Sequence, residues 1–425
     1  MRLKLEHLRH PFRTATVAKD RVAARLSMRR CADSGERRFR DDPRYRLENV
    51  TAGFASGPFP ISRDEQRRRA EPDEAALLER ICRAYIKAWE DGASAPLAYR
   101  ATAWWKEVRR HNLRPVIRAL LARDTEALRR MYGNFFRDPC SAGLIGLPWS
   151  GTLFGDGSSD LYRRFYLSDV LHRLDYWAEQ TGGRFPVDAL AGPNIGNPFG
   201  ALIEGTLIRS GIEYHHYCAH RVIDLLWDLS GDSLAALPPY AKATVVEVGG
   251  GFGDMAWYLL RDEPRVTYIN FDLPETIALA SYYLLKAFPE GRFLLYGEED
   301  LSSESISKAD VVLMPAFALA ALPEESADLT FCSHLLSDIS PAAMAEYLEA
   351  IARVTRDSFV HVSSRRATER IFGLLRRGDR PFALAATRRS EWHKHRARRW
   401  DEVECVYRAA SIPALRMEPV GAMES

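Results

Sequence analysis

Cysteine is scarce and scattered. The six, Cys31, Cys82, Cys140, Cys218, Cys332 and Cys405, form no C-x-x-C pair, which excludes a zinc ribbon and a dithiol redox motif. Buried, reduced thiols are expected. Long apolar runs are missing as well: no stretch could cross a bilayer, and the opening MRLKLEHLRHPFR lacks the apolar core of a secretory signal. A cytoplasmic protein without a membrane partner is the expectation. There is no internal repeat, and an excess of charge of either sign is nearly absent, at a net +2. That small excess is unevenly spread, because residues 1–70 hold 18 Lys or Arg against 9 Asp or Glu. Such an arm has the charge to meet nucleic acid, anionic lipid or an acidic partner. Few aromatics interleave its arginines, as a single-strand binder needs, so a solvated, partly disordered extension is expected and no nucleic-acid partner.

What is present is ordinary globular material. With 46% hydrophobic and 27% charged residues over 425 positions, the chain can bury two or three domains. From Pro72 to about Ala236 apolar residues recur at helical spacing, as in EAALLERICRAYIKAWE and LRPVIRALLARDTEALRRMY. Breaker-rich loops fall at 143–151, 191–200 and 237–242, the last being the expected domain boundary. Past Lys242 short β-branched runs alternate with amphipathic helices, the pattern of β-α-β units. Strands are expected at 244–249, 266–273, 310–315, 327–334 and 358–364, with DEVECVYRA closing the sheet and RFLLYG as an edge. The chain thus divides into a basic arm (1–70), a helical cap or substrate domain (71–237) and an α/β domain (238–425).

The decisive segment is VVEVGGGFGD, residues 245–254. An apolar strand runs into four glycines and then a helical pattern, so backbone amides can lie against an anionic or nucleoside ligand. The next strand ends in Phe271-Asp272-Leu273-Pro274, where an acidic side chain can accept both ribose hydroxyls. Gly251-x-Gly253-x-x-Ala256 with Asp272 downstream also satisfies the dinucleotide fingerprint, so a nicotinamide oxidoreductase stays open at this point.

The E-x-G-x-G-x-G pattern through Glu247, Gly249, Gly251 and Gly253 resembles motif I of class I methyltransferases. A closer resemblance, to the bacterial sugar O-methyltransferase family, rests on several segments in order: Gly196-Asn197-Pro198, Tyr214-His215-His216-Tyr217-Cys218-Ala219, EVGGGFGDMA, FDLPETIALASYYLLKAFP and SHLLSDIS. It spans about 194–364. The resemblance implies a Rossmann-like class I methyltransferase domain preceded by a mainly helical domain, with S-adenosylmethionine as cofactor. It further implies that Glu247, Gly249, Gly251, Gly253, Asp272 and Leu273 bind it, with Phe271, Met314 or Phe317 beside the adenine. The substrate class would be a sugar or glycosylated small molecule, with a phenolic or polyketide hydroxyl as the alternative. A homo-oligomer is left open.

A hydroxyl acceptor needs a group to take its proton. His334 and Asp338, in the loop after the strand ADLTFC, are the candidate catalytic residues, although Asp338 would also suit a helix N-terminus. Tyr214, His215 and Tyr217 are the candidate substrate contacts. If their segment is helical, Tyr214, Tyr217 and Arg221 share one face and His216 and His220 another. No H-E-x-x-H pattern or added acid accompanies the histidines, so no metal is expected. His361 reads as a core histidine. Trp392, His393 and His395 fall in a basic stretch where exposure is expected, with Arg396, Arg398 and Arg399 available to a phosphate-bearing substrate. Trp104 and Trp105 suit a buried helix or a sugar platform.

Overall fold

The computed structural model describes residues 11–54, 74–145, 160–230, 242–377, 382–393 and 401–409. The start of the basic arm, most of the 143–151 and 237–242 loops, His395 and the arginines at 396, 398 and 399 lie outside them.

Within the arm, α1 (Pro11–Phe39) and α2 (Leu47–Gly53) are helical. Met28, Cys31, Ala32 and Phe39 of α1 are buried. Ion pairs join the arm to the helix at 160–180: Arg38 and Arg44 of the arm both reach Asp175, and Glu36 of the arm meets Arg164. This part of the arm packs on the cap, because its arginines have carboxylates in register.

The cap comprises α3 (Glu74–Gly92), α4 (Ala103–Val108), α5 (Arg114–Ala122), α6 (Thr125–Tyr132), α7 (Asp160–Gln180) and α8 (Ile212–Ser230). The apolar run predicted as one stretch at 113–132 breaks into α5 and α6. Arg123 adopts a left-handed conformation, and the Asp124 side chain accepts from the Ala127 amide, restarting the helix. A small hairpin, β1 (Ala201–Ile203) and β2 (Thr206–Ile208), interrupts the expected helical region. Its strands are too short to show alternation, and its turn is Glu204-Gly205, both at positive φ, rather than Asn-Gly.

The α/β half contains β3 (Ala243–Val248), α9 (Asp254–Asp262), β4 (Val266–Asp272), α10 (Pro274–Ala287), β5 (Phe293–Leu295), β6 (Val311–Pro315), β7 (Ala327–Ser333), the short α11 (Leu335–Asp338), α12 (Pro341–Val354), β8 (Thr355–Ser364), α13 (Arg365–Leu375), β9 (Phe382–Ser390) and β10 (Glu402–Ala409). They build an eight-stranded sheet in the order β5-β6-β4-β3-β7-β8-β10-β9. Strands β3 to β8 run parallel, while β10 is antiparallel to both β8 and β9. Strand β9 is an addition to the expected set. Its middle is exposed, leaving pairing with β10 to fix its register.

Two cores flank the sheet. On one face α12 and α13 cover Val246, Val248, Ile269 and Val312. On the other, a core continuous with the cap joins Leu78, Leu120, Leu171 and Val222 to Tyr258, Tyr283 and Val245. A bidentate ion pair from Arg109 to Glu275, at 2.5 and 2.8 Å, ties the cap to the start of α10. The cap therefore closes over the carboxyl ends of β3 and β7, where strand order reverses and open α/β sheets bind ligands. Among the described residues no helix is long and apolar enough to cross a membrane.

Candidate active site

Strand β3 delivers its last residues into the glycine loop. Gly249 has φ +84°, and a Cβ there would fall 2.9 Å from Leu335. Gly253, at φ +93°, begins α9 and would strike Leu284. Both need glycine for two reasons at once, backbone and space. The neighbouring strand ends at Asp272, whose carboxylate accepts the Gly251 amide at 2.9 Å and the Leu273 amide at 2.6 Å. Burial pushes Asp272 up to about 7 despite those two amides. Glu247 is likewise raised by burial to about 7, while its Oε2 accepts the Tyr268 hydroxyl at 2.5 Å. Two acids that titrate near neutrality thus bracket the loop.

The loop opens into a cavity of about 320 Å³, lined also by the cap residues Trp105, Arg209, Tyr214 and His215 and by His334 and Asp338. Arg209 reaches Asp254 at 2.8 Å, and His215 Nδ1 lies 2.9 Å from the same carboxylate. Burial alone would raise Asp254. The Arg209 guanidinium first, and then the hydrogen bond with His215, hold it well below the usual carboxylate range.

Across the cavity a chain of polar contacts joins four elements. Tyr214 of α8 meets Ser333 Oγ at 2.7 Å, and Ser333 Oγ meets His334 Nδ1 at 2.6 Å. His334 Nε2 lies 2.5 Å from Glu402 Oε1, and Ser390 Oγ donates to Glu402 Oε2 at 2.5 Å. His393 Nδ1 is 3.6 Å from that second oxygen. His334 takes φ +65°, rare for a residue with a side chain and a form of strain met at functional sites. Glu402 is only 3% exposed; burial opposes its charge, yet the two imidazoles outweigh that and hold it below its ordinary range. Burial raises Asp338 and lowers His393, the latter to about 4.

Topology explains how Glu402 reaches this place. Strand β10 runs against the parallel strands, so its first residue, not its last, stands at their carboxyl ends, opposite Ser364 of β8 and Ser390 of β9. Sequence reasoning misses Glu402 as a site residue and His393 as a cavity residue, since both lie far from the glycine loop along the chain. The signal is the pair of acids, Glu402 and Glu404, alternating with Val403 and Cys405 in a buried strand.

Other residues singled out by sequence take different positions, and the expectation of exposure for Trp392 and His393 needs correcting. Trp392 is 2% exposed, packed on Tyr214 and Tyr217, and His393 lines the cavity. Tyr217 points to the sheet, donating to Glu404 Oε2 at 2.7 Å, with Arg221 on the other oxygen. Leu273 contributes its amide to Asp272. Gly196 and Asn197 pack on Phe135 and Asn134, and Arg137 binds the carbonyls of Asn197 and Pro198. His216 and His220 share a helix face with rings 4.4 Å apart, and His361 is fully buried in β8. Trp104 is 57% exposed, whereas Trp105 borders the cavity.

Residues 227–346 match the family model of the O-methyltransferase domain. The enzyme is an S-adenosylmethionine-dependent methyltransferase. The matched segment holds the glycine loop, Asp272, His334 and Asp338. No curated protein matches the chain. Among solved structures, the chain is similar to the N-methyltransferase NodS from Bradyrhizobium japonicum WM9 in complex with S-adenosyl-L-homocysteine, at 13% identity, 45% of this chain, 87% of that chain and TM-score 0.29. Magnesium protoporphyrin IX methyltransferase (ChlM) from Synechocystis PCC 6803 with bound cofactor aligns at 12% identity, 56% and 96% coverage and TM-score 0.30. The pyocyanin biosynthetic protein PhzM aligns at 16%, 62% and 77%, with TM-score 0.29.

Proposed function

We propose that this methyltransferase acts on a hydroxyl of a sugar or glycosylated small molecule, with residues 71–237 as the cap that selects it. One observation carries the reading: the glycine loop and the Tyr214–Ser333–His334 chain open into a single cavity. Glu247, Gly249, Gly251, Gly253, Asp272 and Leu273 hold the cofactor, the Asp272 carboxylate exchanging its loop amide for ribose hydroxyls. Methyl transfer is an in-line displacement, so the protein's task is to hold the acceptor oxygen behind the methyl carbon. Tyr214 and His215 orient the acceptor, and His334 and Asp338 are the groups within the cavity that can take its proton. Tyr214, His215, Ser333, His334 and Asp338 supply polar groups along the cavity to which a hydroxyl-bearing acceptor can hydrogen-bond. Tyr217 acts one layer out, fixing α8 to the sheet.

An acceptor panel with methyl-labelled cofactor tests this. Label on sugars or glycosides is expected. Label confined to phenolic or polyketide hydroxyls would replace the sugar reading with the phenolic one.

A further inference from the structure

Where the acceptor would stand, three donor groups from separate parts of the sequence converge. One ligand atom each from His334, His393 and Glu402 lies within 4.8 Å of the other two. Two imidazoles and a carboxylate are a donor set that zinc and its neighbours in the first transition row accept. His334 Nε2 is buried and makes no aligned hydrogen bond, although Glu402 Oε1 lies 2.5 Å away. A nitrogen and an oxygen in contact without an in-line proton leave a buried polar atom unsatisfied, at a cost of about 1–3 kcal/mol. A cation between them removes that cost.

The surroundings match what ligating residues require. A ligating histidine is normally held through its other nitrogen. Here Ser333 engages His334 Nδ1, and Tyr214 in turn engages Ser333. Ser390 occupies Glu402 Oε2, which leaves Oε1 to the ion. Metal bonds of about 2.0–2.1 Å in a tetrahedral site set ligand atoms roughly 3.3 Å apart, so the His334–Glu402 contact must open by under about 1 Å.

We propose that His334, His393 and Glu402 bind a divalent transition-metal ion, zinc by donor chemistry, and that the acceptor hydroxyl fills its open position. This rests on the methyl-transfer reading above. A hydroxyl on such an ion loses its proton near neutrality, as metal-bound water does. The proton passes to the Asp338 carboxylate, which faces the same cavity and is not a ligand. The new O–CH3 bond forms as the S–CH3 bond breaks, releasing S-adenosylhomocysteine. In this arrangement His334 works as a ligand, not as the base.

Among the described residues one other group has ligand spacing, His216, His220 and Asp262. It lies outside the cavity, with Asp262 taken by two Arg261 nitrogens and His216 Nδ1 by the Trp177 indole. It serves as the control.

The full chain, stripped with chelator and repurified, is titrated with zinc or cobalt(II) with and without S-adenosylhomocysteine. Bound metal is read by atomic emission, calorimetry and the visible bands of cobalt. One equivalent is expected, weakened about 100-fold in His393→Ala and in Glu402→Gln and unchanged in His220→Ala. Circular dichroism confirms that each variant is folded. Less than about a tenth of an equivalent, or binding that survives His393→Ala, or binding lost in His220→Ala instead, overturns the site. Full turnover by the stripped enzyme overturns the role in catalysis. S-adenosylhomocysteine is titrated separately: if it does not bind while metal does, the methyl-transfer reading fails and the metal site stands.

Discussion

The glycine-loop side and the His334–Glu402 side of the cavity are built in opposite ways. Glu247, the glycines and Asp272 come from two consecutive parallel strands and one loop, so neighbours in sequence are neighbours in space. The other side gathers Tyr214 from the cap, Ser333 at the end of β7, His334 just after it, His393 after β9 and Glu402 at the start of β10. A local site depends on backbone conformation. A dispersed one depends on strand register and on the packing of the cap.

Substitutions that strike one side and spare the other sharpen that contrast. The largest effect is expected from Gly249→Val, which forces a β-branched residue to φ +84° and drives its Cβ toward Leu335. S-adenosylhomocysteine affinity should fall by about 1,000-fold in calorimetry, a loss of roughly 4 kcal/mol. Retained affinity would show that the loop does not hold the nucleoside. Next comes Glu402→Gln, which should lower kcat by about 100-fold with S-adenosylhomocysteine affinity unchanged. A matching loss of affinity would merge the two sides into one unit.

Asp272→Asn should weaken S-adenosylhomocysteine by about tenfold, near 1.4 kcal/mol, and remove a pH dependence. Burial lifts Asp272 to about 7 in the empty protein. Ribose hydroxyls donate best to the ionised form, so affinity should rise from about pH 6 to 8 and level off above. Stability of the empty protein runs the other way. A carboxyl that titrates near 7 folded and near 4 unfolded binds more protons in the native state between those values, so its contribution declines as pH rises through that window. A flat affinity profile in the parent would remove Asp272 from the ribose. The smallest effect is expected from Tyr217→Phe, which leaves Glu404 with Arg221 alone and should cost about 1 kcal/mol in denaturant unfolding. A large change in acceptor KM instead would put Tyr217 in contact with substrate.

The same contrast decides what can be read from the chain alone. The parallel strands announce themselves as β-branched runs, and four glycines after an apolar strand leave few conformations open. The loop is therefore legible down to its acid partner. Glu402 and His393 are not, because their place follows from β10 running backward beside β8, a pairing that no local pattern encodes. Trp392 misleads for a related reason: the basic composition of its stretch says nothing of the aromatic pocket made by Tyr176, Tyr214 and Tyr217. The helical hairpin at Arg123 turns on one side chain, Asp124, capping where the periodicity runs on.

The reversed direction of β10 carries one more consequence. Successive side chains of a strand face opposite ways, so Glu402 and Glu404 project together. Tyr217 and Arg221 clasp the second acid, and in doing so they set the first to within one tooth of a ratchet. If that clasp slipped by a single residue, Val403 would take the place of Glu402, and an oily side chain would stand where a charge is needed. The grip of a cap helix on one strand position thus acts as a gauge, setting the alignment of chemistry at the next position on the same face.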